Sequence, residues 1–377
     1  MLVGLDATPL LGVRTGVGRY VEHLLRELAA LAAAPRRDDL RLAATAFTLR
    51  GGGGLAAAVP RGVQPRRSCA SARAVQAAWE RLDLPPVEWL VGRLDVFHGT
   101  NFVLPPARRA GGVLTVHDLS YLRFPATVAR ASLRYRALVP RGLRRAAVVL
   151  TPSEAVAEEV RAEYPTLVAP DRVVATPLGV DAAWFTAAPP DPGWLAARGL
   201  PERYLLFVGT VEPRKGLPTL LGALRLLHRD PGYEPPPLVL AGPPGWGPAL
   251  ETAGLPDGAV RSAGYLEPAE LRRVVAGAAA LAFPSVYEGF GLPPLEAFAA
   301  GRPVVGSDLP VIREVTGGMA SLVPVGDETA LATALQAVFI DDGGPAAAAA
   351  RRERARAFSW TATAAGTYAA YLRAHGR

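Results

Sequence analysis

Short apolar runs alternate with segments of helical periodicity along the first half of the chain. The runs Leu2–Asp6, 113–116 and 147–151 predict buried strands, whereas the apolar positions of 17–31 recur at helical spacing. A further helix is predicted to start at Ser153, where a hydroxyl N-cap precedes acidic residues. A helix that follows its strand this directly is typical of a doubly wound α/β domain.

The same alternation restarts in the second half of the chain. The pattern predicts a buried strand at 204–208, a loop to Lys215, a helix over Leu217–Leu227 and a strand at 237–241. Between 187 and 199 the run Ala-Ala-Pro-Pro-Asp-Pro-Gly-Trp breaks both periodicities and predicts a linker. We therefore expect an α/β protein made of two Rossmann-like halves.

Length and charge agree with two domains. The chain has 377 residues and a net charge of +7, and domains usually contain about 100–200 residues. The 24 arginines and 16 acidic residues of 1–185 give +8, whereas the 17 basic and 18 acidic residues of 186–377 give −1. The basic excess thus lies before the predicted linker, and Lys215 is the chain's only lysine.

The lone cysteine and the N-terminus suggest a compartment. Because Cys69 is the only cysteine, neither an intramolecular disulfide nor a cysteine metal cluster is expected, which suits a reducing environment. The N-terminus lacks a basic region followed by an apolar one, and no run approaches the ~20 apolar residues of a membrane span. We expect a cytoplasmic protein that neither crosses a membrane nor is secreted.

The loop after strand 204–208 has the features of a phosphate-binding loop. It contains glycine and places Arg214 and Lys215 directly before a helix. The N–H groups at a helix start, the fork of an arginine and the compact charge of a lysine all bind phosphate oxygens. A solvated basic turn is the alternative, but the position at a strand's carboxyl end favours a ligand.

A second glycine-flanked loop, at 284–292, carries two carboxylates. A helix is predicted to begin at Pro293 or Pro294, with Glu288 in the loop and Glu296 in the first helical turn. Carboxylates accept hydrogen bonds from vicinal sugar hydroxyls, and three backbone amides are placed to meet an anion. These are the amides of Phe290, Gly291 and Leu292. The alternative is that Glu296 only favours the helix dipole and that Glu288 is a surface residue.

Two candidates lie in the first half. His117 follows the run 113–116, which places its imidazole at a strand's carboxyl end, although a lone histidine is more often structural and bonded to a backbone carbonyl. The glycines Gly12, Gly16 and Gly18 form a loop around Thr15 that lacks the spacing of a dinucleotide-binding fingerprint.

At these motifs the chain resembles glycosyltransferase family 4, retaining sugar-nucleotide enzymes of the GT-B fold. Glu288 and Glu296 match the Glu-x7-Glu motif of that family, and the run Ala-Gly-Arg-Pro-Val-Val-Gly-Ser-Asp at 300–308 is also typical of it. The resemblance covers nearly the whole chain and is most specific over 204–316. Glu-Pro-Arg-Lys-Gly at 212–216, the run at 241–247 and Gly-Tyr-Leu at 264–266 are similar to mannosyltransferase-type members.

The resemblance implies a role for each candidate residue. Arg214 and Lys215 would bind the donor diphosphate, Glu296 the nucleotide ribose, and Glu288 would lie beside the donor sugar. The implied catalytic residues are His117 and Glu288, and the implied donor-binding residues are Gly16, Arg214, Lys215, Phe290, Gly291, Leu292 and Glu296. Some members have an arginine directly after the strand-end glycine, where this chain has Thr210. The cationic role therefore falls to Arg214 and Lys215.

The resemblance also implies the domain organisation. Residues 1–185 would form an acceptor-binding domain, 186–202 a linker and 203–355 the donor-nucleotide domain. Residues 356–377 would add a C-terminal helix that packs back on the first domain. The two Rossmann-like domains would face an interdomain cleft, which is the GT-B arrangement.

The implied activity is retaining transfer of a hexose from a nucleoside diphosphate sugar to an acceptor hydroxyl in bacterial envelope polysaccharide or glycoconjugate synthesis. GDP-mannose is the favoured donor, with UDP-glucose or another donor left open. No Asp-x-Asp motif is present, so neither a metal nor another cofactor is expected. The acceptor would be a saccharide or a lipid-linked saccharide. Alternatives are glycosylation of a natural product with a UDP-sugar, a GT-B phosphorylase or epimerase, a nicotinamide dehydrogenase, and a noncatalytic sugar-nucleotide binder.

Arginines over 130–145 surround apolar residues, with Pro140 and Gly142 predicted to interrupt a single continuous helix. A basic amphipathic element of this kind binds an anionic membrane surface, and a solvated basic face is the alternative. Nucleic-acid binding is not expected because no recognised module accompanies the charge.

Overall fold

The computed structural model describes residues 1–12, 16–34, 39–48, 52–68, 70–245 and 250–376. The chain divides into two compact units, one of Met1–Gly179 with Ser359–Arg377 and the other of Val180–Phe358. Cys69, Thr15 and part of the 241–247 run lie outside the described residues.

The first unit is built on a parallel sheet. Its strands are β1 (Leu2–Asp6), β2 (Arg41–Phe47), β3 (Val63–Ser68), β4 (Val96–Gly99), β5 (Gly111–Thr115), β6 (Ala146–Thr151) and β7 (Val173–Ala175). Among the described residues these seven strands pair in the order β3-β2-β1-β4-β5-β6-β7. The strands predicted from the apolar runs are therefore confirmed.

The helices of this unit follow the strands along the chain. They are α1 (Gly16–Ala32), α2 (Gly52–Ala58), α3 (Ala72–Trp79), α4 (Val87–Val91), α5 (Ser120–Arg123), α6 (Tyr135–Arg145) and α7 (Glu154–Glu163). The predicted cap of α7 is confirmed, since the Ser153 hydroxyl accepts a hydrogen bond from the Val156 amide at 3.2 Å.

Helix α6 differs from its prediction. Pro140 and Gly142 do not interrupt it, and a short 3-10 helix, Arg130–Arg134, leads directly into it. A Cβ atom at Gly142 would lie 2.9 Å from the Leu114 side chain, so glycine lets the helix approach the sheet closely. Leu138, Val139 and Leu143 are buried in the core, and this packing holds the helix together across the proline.

The second unit repeats the architecture. Its strands are β8 (Leu205–Val208), β9 (Leu238–Ala241), β10 (Val260–Gly264), β11 (Ala280–Phe283), β12 (Val304–Ser307) and β13 (Ser321–Val323), and its helices are α8 (Pro192–Ala196), α9 (Leu217–Leu227), α10 (Pro268–Gly277), α11 (Leu292–Ala299), α12 (Pro310–Thr316), α13 (Glu328–Ile340) and α14 (Gly344–Arg356). In the described part of this unit the parallel strand order is β10-β9-β8-β11-β12-β13.

The segment assigned to a linker, 186–202, lies in the second unit. Within it, the Asp191 carboxylate accepts a hydrogen bond from the Trp194 amide at 2.8 Å, and α8 starts at Pro192. The proline and aspartate that break the apolar periodicity are here the start of a helix, a position that both residue types favour.

The terminal helix α15 (Trp360–His375) belongs to the first unit, where it packs on β4, β5, β6 and α1. Buried polar contacts fix it there. His98 Nδ1 lies 2.8 Å from the Tyr371 hydroxyl, and His98 Nε2 lies 2.7 Å from the Thr115 hydroxyl, which also contacts Tyr20. No helix among the described residues has both the length and the apolar character needed to span a bilayer.

Candidate active site

The loops after β8 and β11 meet where the strand order of the second sheet reverses. Open α/β sheets bind ligands at such a point, outside the carboxyl ends of the strands. Gly216 ends the first loop with φ of 68°, and a Cβ atom there would lie 2.0 Å from the Pro284 carbonyl oxygen. Only glycine therefore permits this approach, and the Val286 amide donates to the Arg214 carbonyl at 2.9 Å.

Charged side chains join the same two loops. The Lys215 ammonium donates to Glu288 Oε1 at 2.7 Å, and Arg214 Nη1 donates to Glu288 Oε2 at 3.2 Å. Arg214 also donates to the Tyr287 carbonyl at 2.9 Å and to Glu212 Oε1 at 2.8 Å. The structure thus brings together three predicted residues, Arg214, Lys215 and Glu288.

Glu212 is a member of this cluster that the sequence analysis missed. Its carboxylate is buried and fixes the far side of the Arg214 guanidinium. The sequence feature that could have identified Glu212 was its place in Glu-Pro-Arg-Lys-Gly, two residues before Arg214.

The Glu288 carboxylate is ionised although only 9% of its side chain is exposed. Burial alone raises its pKa, but the charges of Lys215 and Arg214 and the hydrogen bond from Lys215 outweigh that effect and bring the pKa to about 2. The alternative that Glu288 is a solvated surface residue is therefore wrong.

Helix α11 begins earlier than predicted. Its first residue is Leu292 and its N-cap is Gly291, so the prolines at 293 and 294 occupy the second and third positions, where no amide hydrogen is needed. Glu296 consequently lies in the second turn, and its predicted place in the first turn is wrong. Its side chain is almost fully buried in the unit's interior, which disfavours the alternative of a solvated residue that only interacts with the helix dipole.

The segment between the two glutamates is also buried. Phe290 packs its ring edge-on against Phe358 at 5.9 Å, and Leu292 is buried beside Gly291 at the start of α11. The first N–H groups of a helix have no partner within the helix itself. The structure therefore places the three predicted amides at a helix start that directly follows Glu288 in the chain.

His117 lies in the first unit, just after β5. Its Nε2 atom lies 2.8 Å from the Thr100 carbonyl oxygen, which only accepts, so Nε2 carries the hydrogen. Burial lowers the pKa of His117, although this bond and the charge of Asp118 act in the opposite direction. In the neutral ring Nδ1 is consequently an acceptor. The carbonyl bond matches the structural alternative, and the catalytic role of His117 stays a prediction.

A cavity of ≈140 Å³ opens at the carboxyl end of β1 in the same unit. Its polar lining includes Asp6, Thr8, Gln76 and Asn101, and the Trp79 ring forms part of the wall. The sequence analysis missed these residues. One sequence feature could have identified Asp6. It ends the apolar run Leu2–Asp6, much as His117 follows the run 113–116.

Gly16 is the first residue of α1, and residues 13–15 of its loop lie outside the described residues. Over the ranges that the structure describes, no group of three or more His, Cys, Asp or Glu side chains is placed to hold a metal ion.

Comparisons with known proteins identify the family and agree with this fold. Residues 14–184 match the family model described as Glycosyltransferase Family 4, and residues 202–341 match the model Glycosyl transferases group 1. O-antigen chain mannosyltransferase B of Escherichia coli is 32% identical over 286 residues, which cover 73% of this chain and 74% of that protein. A D-inositol 3-phosphate glycosyltransferase of Kineococcus radiotolerans is 35% identical over 229 residues, covering 54% of this chain and 52% of that protein.

Solved structures share the fold over nearly the whole chain. Sucrose-phosphate synthase of Thermosynechococcus elongatus has a TM-score of 0.72 at 20% identity and covers 99% of this chain and 98% of that one. Anabaena HepE in complex with UDP and glucose has a TM-score of 0.67 at 18% identity, with 98% of each chain covered.

The fold is the GT-B fold with two parallel-sheet Rossmann-like domains, as predicted, and the family matches define a glycosyltransferase. The chain belongs to glycosyltransferase family 4, and it is a mannosyltransferase-like hexosyltransferase.

Proposed function

We propose that the enzyme transfers mannose from GDP-mannose to an acceptor hydroxyl with retention of the anomeric configuration. The observation that carries this proposal is the pairing of Arg214 and Lys215 with Glu288 where the loops after β8 and β11 meet. The similarity to O-antigen chain mannosyltransferase B supports mannose as the sugar. The UDP bound by Anabaena HepE supports a UDP-sugar as the second candidate donor.

The two cations suit a diphosphate leaving group. Arg214 and Lys215 expose 16% and 13% of their side chains, so their charges act where water screens them little. Before the donor arrives, Glu288 and Glu212 hold the cations in place. Phosphate oxygens then share them, and the amides at the start of α11 donate to the same charge. Preorganised donors of this kind stabilise the charge that builds up as the sugar–phosphate bond breaks.

Glu288 serves as an acceptor for sugar hydroxyls rather than as a nucleophile. Retaining glycosidases place two carboxylates about the anomeric carbon and use one of them as the nucleophile. In this site both Glu288 oxygens are bound by cations, and a pKa of about 2 makes the carboxylate weakly basic. The acceptor hydroxyl therefore attacks the anomeric carbon on the same face of the sugar from which the diphosphate departs. Its proton passes to a phosphate oxygen as the sugar–phosphate bond breaks and the new glycosidic bond forms.

Glu296 and His117 complete the proposed machinery. The buried Glu296 carboxylate accepts hydrogen bonds from the ribose hydroxyls, which the resemblance to the family implies. His117 is neutral and presents Nδ1 as an acceptor, so it orients a sugar hydroxyl and is not an acid. With Arg214 and Lys215 on the diphosphate, the reaction needs no metal ion.

The acceptor is proposed to be a saccharide or lipid-linked saccharide of a bacterial envelope polymer. Phosphatidyl-myo-inositol mannosyltransferase of Mycolicibacterium smegmatis, 36% identical over 51% of this chain, supports a lipid-linked acceptor.

A thermal-shift screen with GDP, UDP, ADP and NAD and with sugar conjugates of the three diphosphates tests the donor, because a ligand of the native state raises the melting temperature. We expect GDP and GDP-mannose to raise it and Glu296→Ala to abolish the effect. A shift with UDP-sugars alone would replace the donor, and a shift with NAD alone would contradict the whole proposal. The configuration of the product, read by NMR, tests retention.

A further inference from the structure

Three large apolar side chains of the first unit are exposed within one short stretch. Leu82, Leu84 and Trp89 expose 61%, 53% and 64% of their surface. Of the eight large hydrophobic side chains that are exposed in the described part of the chain, these three fall within eight consecutive positions. Clustered apolar exposure of this kind is typical of a binding surface. We call residues 82–89 the apolar loop.

Hydrogen bonds hold the apolar loop in place on the folded unit. The Trp79 indole donates to the Pro85 carbonyl at 3.0 Å. The Glu88 carboxylate accepts from the backbone amides of Arg108, Arg109 and Ala110 at 2.8–3.1 Å. The exposed side chains therefore project from a fixed backbone, so they need little further ordering to bind.

The acidic side chains of this region are engaged, which leaves a basic surface around the apolar loop. Asp83 pairs with Arg145 and, at 3.5 Å, with Arg141, both from α6. Glu80 pairs with Arg134 at 3.6 Å. Further exposed arginines adjoin the apolar loop in the chain or through the Glu88 contacts, and they are Arg81, Arg108 and Arg109.

Helix α6, whose arginines were expected to bind an anionic membrane surface, contributes to this surface differently from that expectation. The apolar side of α6 packs into the core through Leu138, Val139 and Leu143, so it does not enter a lipid layer. Through Asp83, however, α6 is attached to a loop that does expose apolar side chains. Cationic and apolar groups thus lie side by side but come from different elements.

We propose that the apolar loop docks on an anionic lipid bilayer. Trp89, Leu82 and Leu84 enter the boundary between headgroups and acyl chains, a depth that tryptophan favours, while the neighbouring arginines contact lipid phosphates. A stable dimer buries roughly 800 Å² per partner and has few charges at its centre. Three side chains with an arginine rim fit a lipid surface better. This proposal is independent of the donor and of the transfer reaction.

Cosedimentation of the full chain with vesicles tests the docking. We expect binding to vesicles of equal parts phosphatidylglycerol and phosphatidylcholine at low salt, and at least tenfold weaker binding to pure phosphatidylcholine or at high salt. The combined change Leu82→Ser, Leu84→Ser and Trp89→Ser should weaken binding at least tenfold. Ile340→Ser, at a side chain 75% exposed in the second unit, is the matched control and should change nothing.

Fluorescence separates insertion from simple adhesion. Vesicles should shift the emission of the wild type to the blue, and Trp89→Phe should lose most of that shift while binding within a fewfold of the wild type. Unaltered circular dichroism of the triple variant shows that it folds, since all three side chains are exposed. No binding to anionic vesicles, or equal binding by the triple variant, overturns the proposal. Self-association that the triple variant loses, without vesicle binding, would instead identify a dimer surface.

Discussion

The two sheets reverse their strand order at the same place, although the first has one strand more, and they differ in the electrostatics at that reversal. In the first unit the reversal lies between β1 and β4. Near it, the Thr100 hydroxyl donates to the Asp6 carbonyl, and His117 Nε2 donates to the Thr100 carbonyl. Asp6 also lines the cavity described above. In the second unit the reversal lies between β8 and β11, where Arg214 and Lys215 pair with Glu288. The same position in the fold therefore holds a polar site in the first unit and an ionic site in the second.

Burial acts on both sites with opposite outcomes. It lowers the pKa of His117 and raises the pKa of Asp6, so each group is driven towards its neutral form. Burial also favours the neutral form of Glu288, but Lys215 and Arg214 keep it ionised. A site lined by hydroxyl, amide and carboxyl groups suits a polyhydroxylated ligand, whereas paired cations suit a diphosphate. The fold alone does not decide which class of ligand each point binds, because that depends on the side chains that the loops place there.

The largest expected effect comes from breaking the ionic site. Lys215→Ala and Arg214→Ala should each lower kcat/KM by roughly 10²–10³-fold, because each removes a preorganised cation from the leaving diphosphate. Steady-state kinetics with the identified donor measures this, and calorimetry should show weaker nucleotide binding. Arg229→Ala, at an exposed arginine of the same unit, is the control. Unchanged nucleotide affinity in both variants would remove these residues from the donor site.

Changing the polar site should cost less and should leave the donor site intact. His117→Ala should lower kcat by about 10–100-fold, the range of one lost positioning hydrogen bond in a closed site, since no ionic contact is removed. Nucleotide-induced thermal shifts should match those of the wild type. Full transferase activity in this variant would show that His117 only supports the loop through Thr100.

The two units should also respond to acid in different pH ranges. The Glu288 pKa falls from 4.5 to about 2 on folding, so its contribution, roughly 3 kcal/mol, is present above pH 4.5 and is lost as the pH falls towards 2. The His98 pKa falls from 6.5 to about 3 through burial and the nearby His117, so its contribution is lost from pH 6.5 downwards.

Urea unfolding over this pH range tests the difference. Glu288→Gln should flatten the dependence below pH 4.5, and His98→Gln should flatten it between 6.5 and about 3. Glu288→Gln should also be about 3 kcal/mol less stable at neutral pH, since it leaves two cations without their shared partner. If both variants keep the acid dependence of the wild type, the ionisation states assigned here are wrong.

Much of this architecture follows from local sequence. The apolar runs locate the strands, and Ser153 locates the start of α7, because side-chain period and capping are properties of a few neighbouring residues. The ionic site is also visible, since Arg214 and Glu288 lie in loops that directly follow apolar runs. Where parallel strands pair side by side, such loops converge.

The remaining features depend on contacts between distant parts of the chain. The pairing of Glu212 with Arg214 is local, but its burial comes from the fold around it, and the exposure of Leu82 and Trp89 has no local signature. The prediction for α6 failed because Gly142 is a helix breaker by its local propensity, whereas in the fold it is the residue that lets α6 pack closely against Leu114 of the sheet. Propensity is a weak guide wherever tertiary packing decides.

The smallest expected effect comes from the polar network that joins α15 to the first sheet. Tyr371→Phe removes the hydroxyl 2.8 Å from His98 Nδ1 and should lower stability by about 1–2 kcal/mol, because a buried ring nitrogen loses its partner. Tyr265→Phe, at a half-exposed tyrosine of the second unit, should change stability little. If the network is structural, the melting temperature falls while kcat and KM stay constant. A lower kcat at an unchanged melting temperature would instead place this network, whose Thr115 lies two residues before His117 at the end of β5, within the chemistry of the polar site.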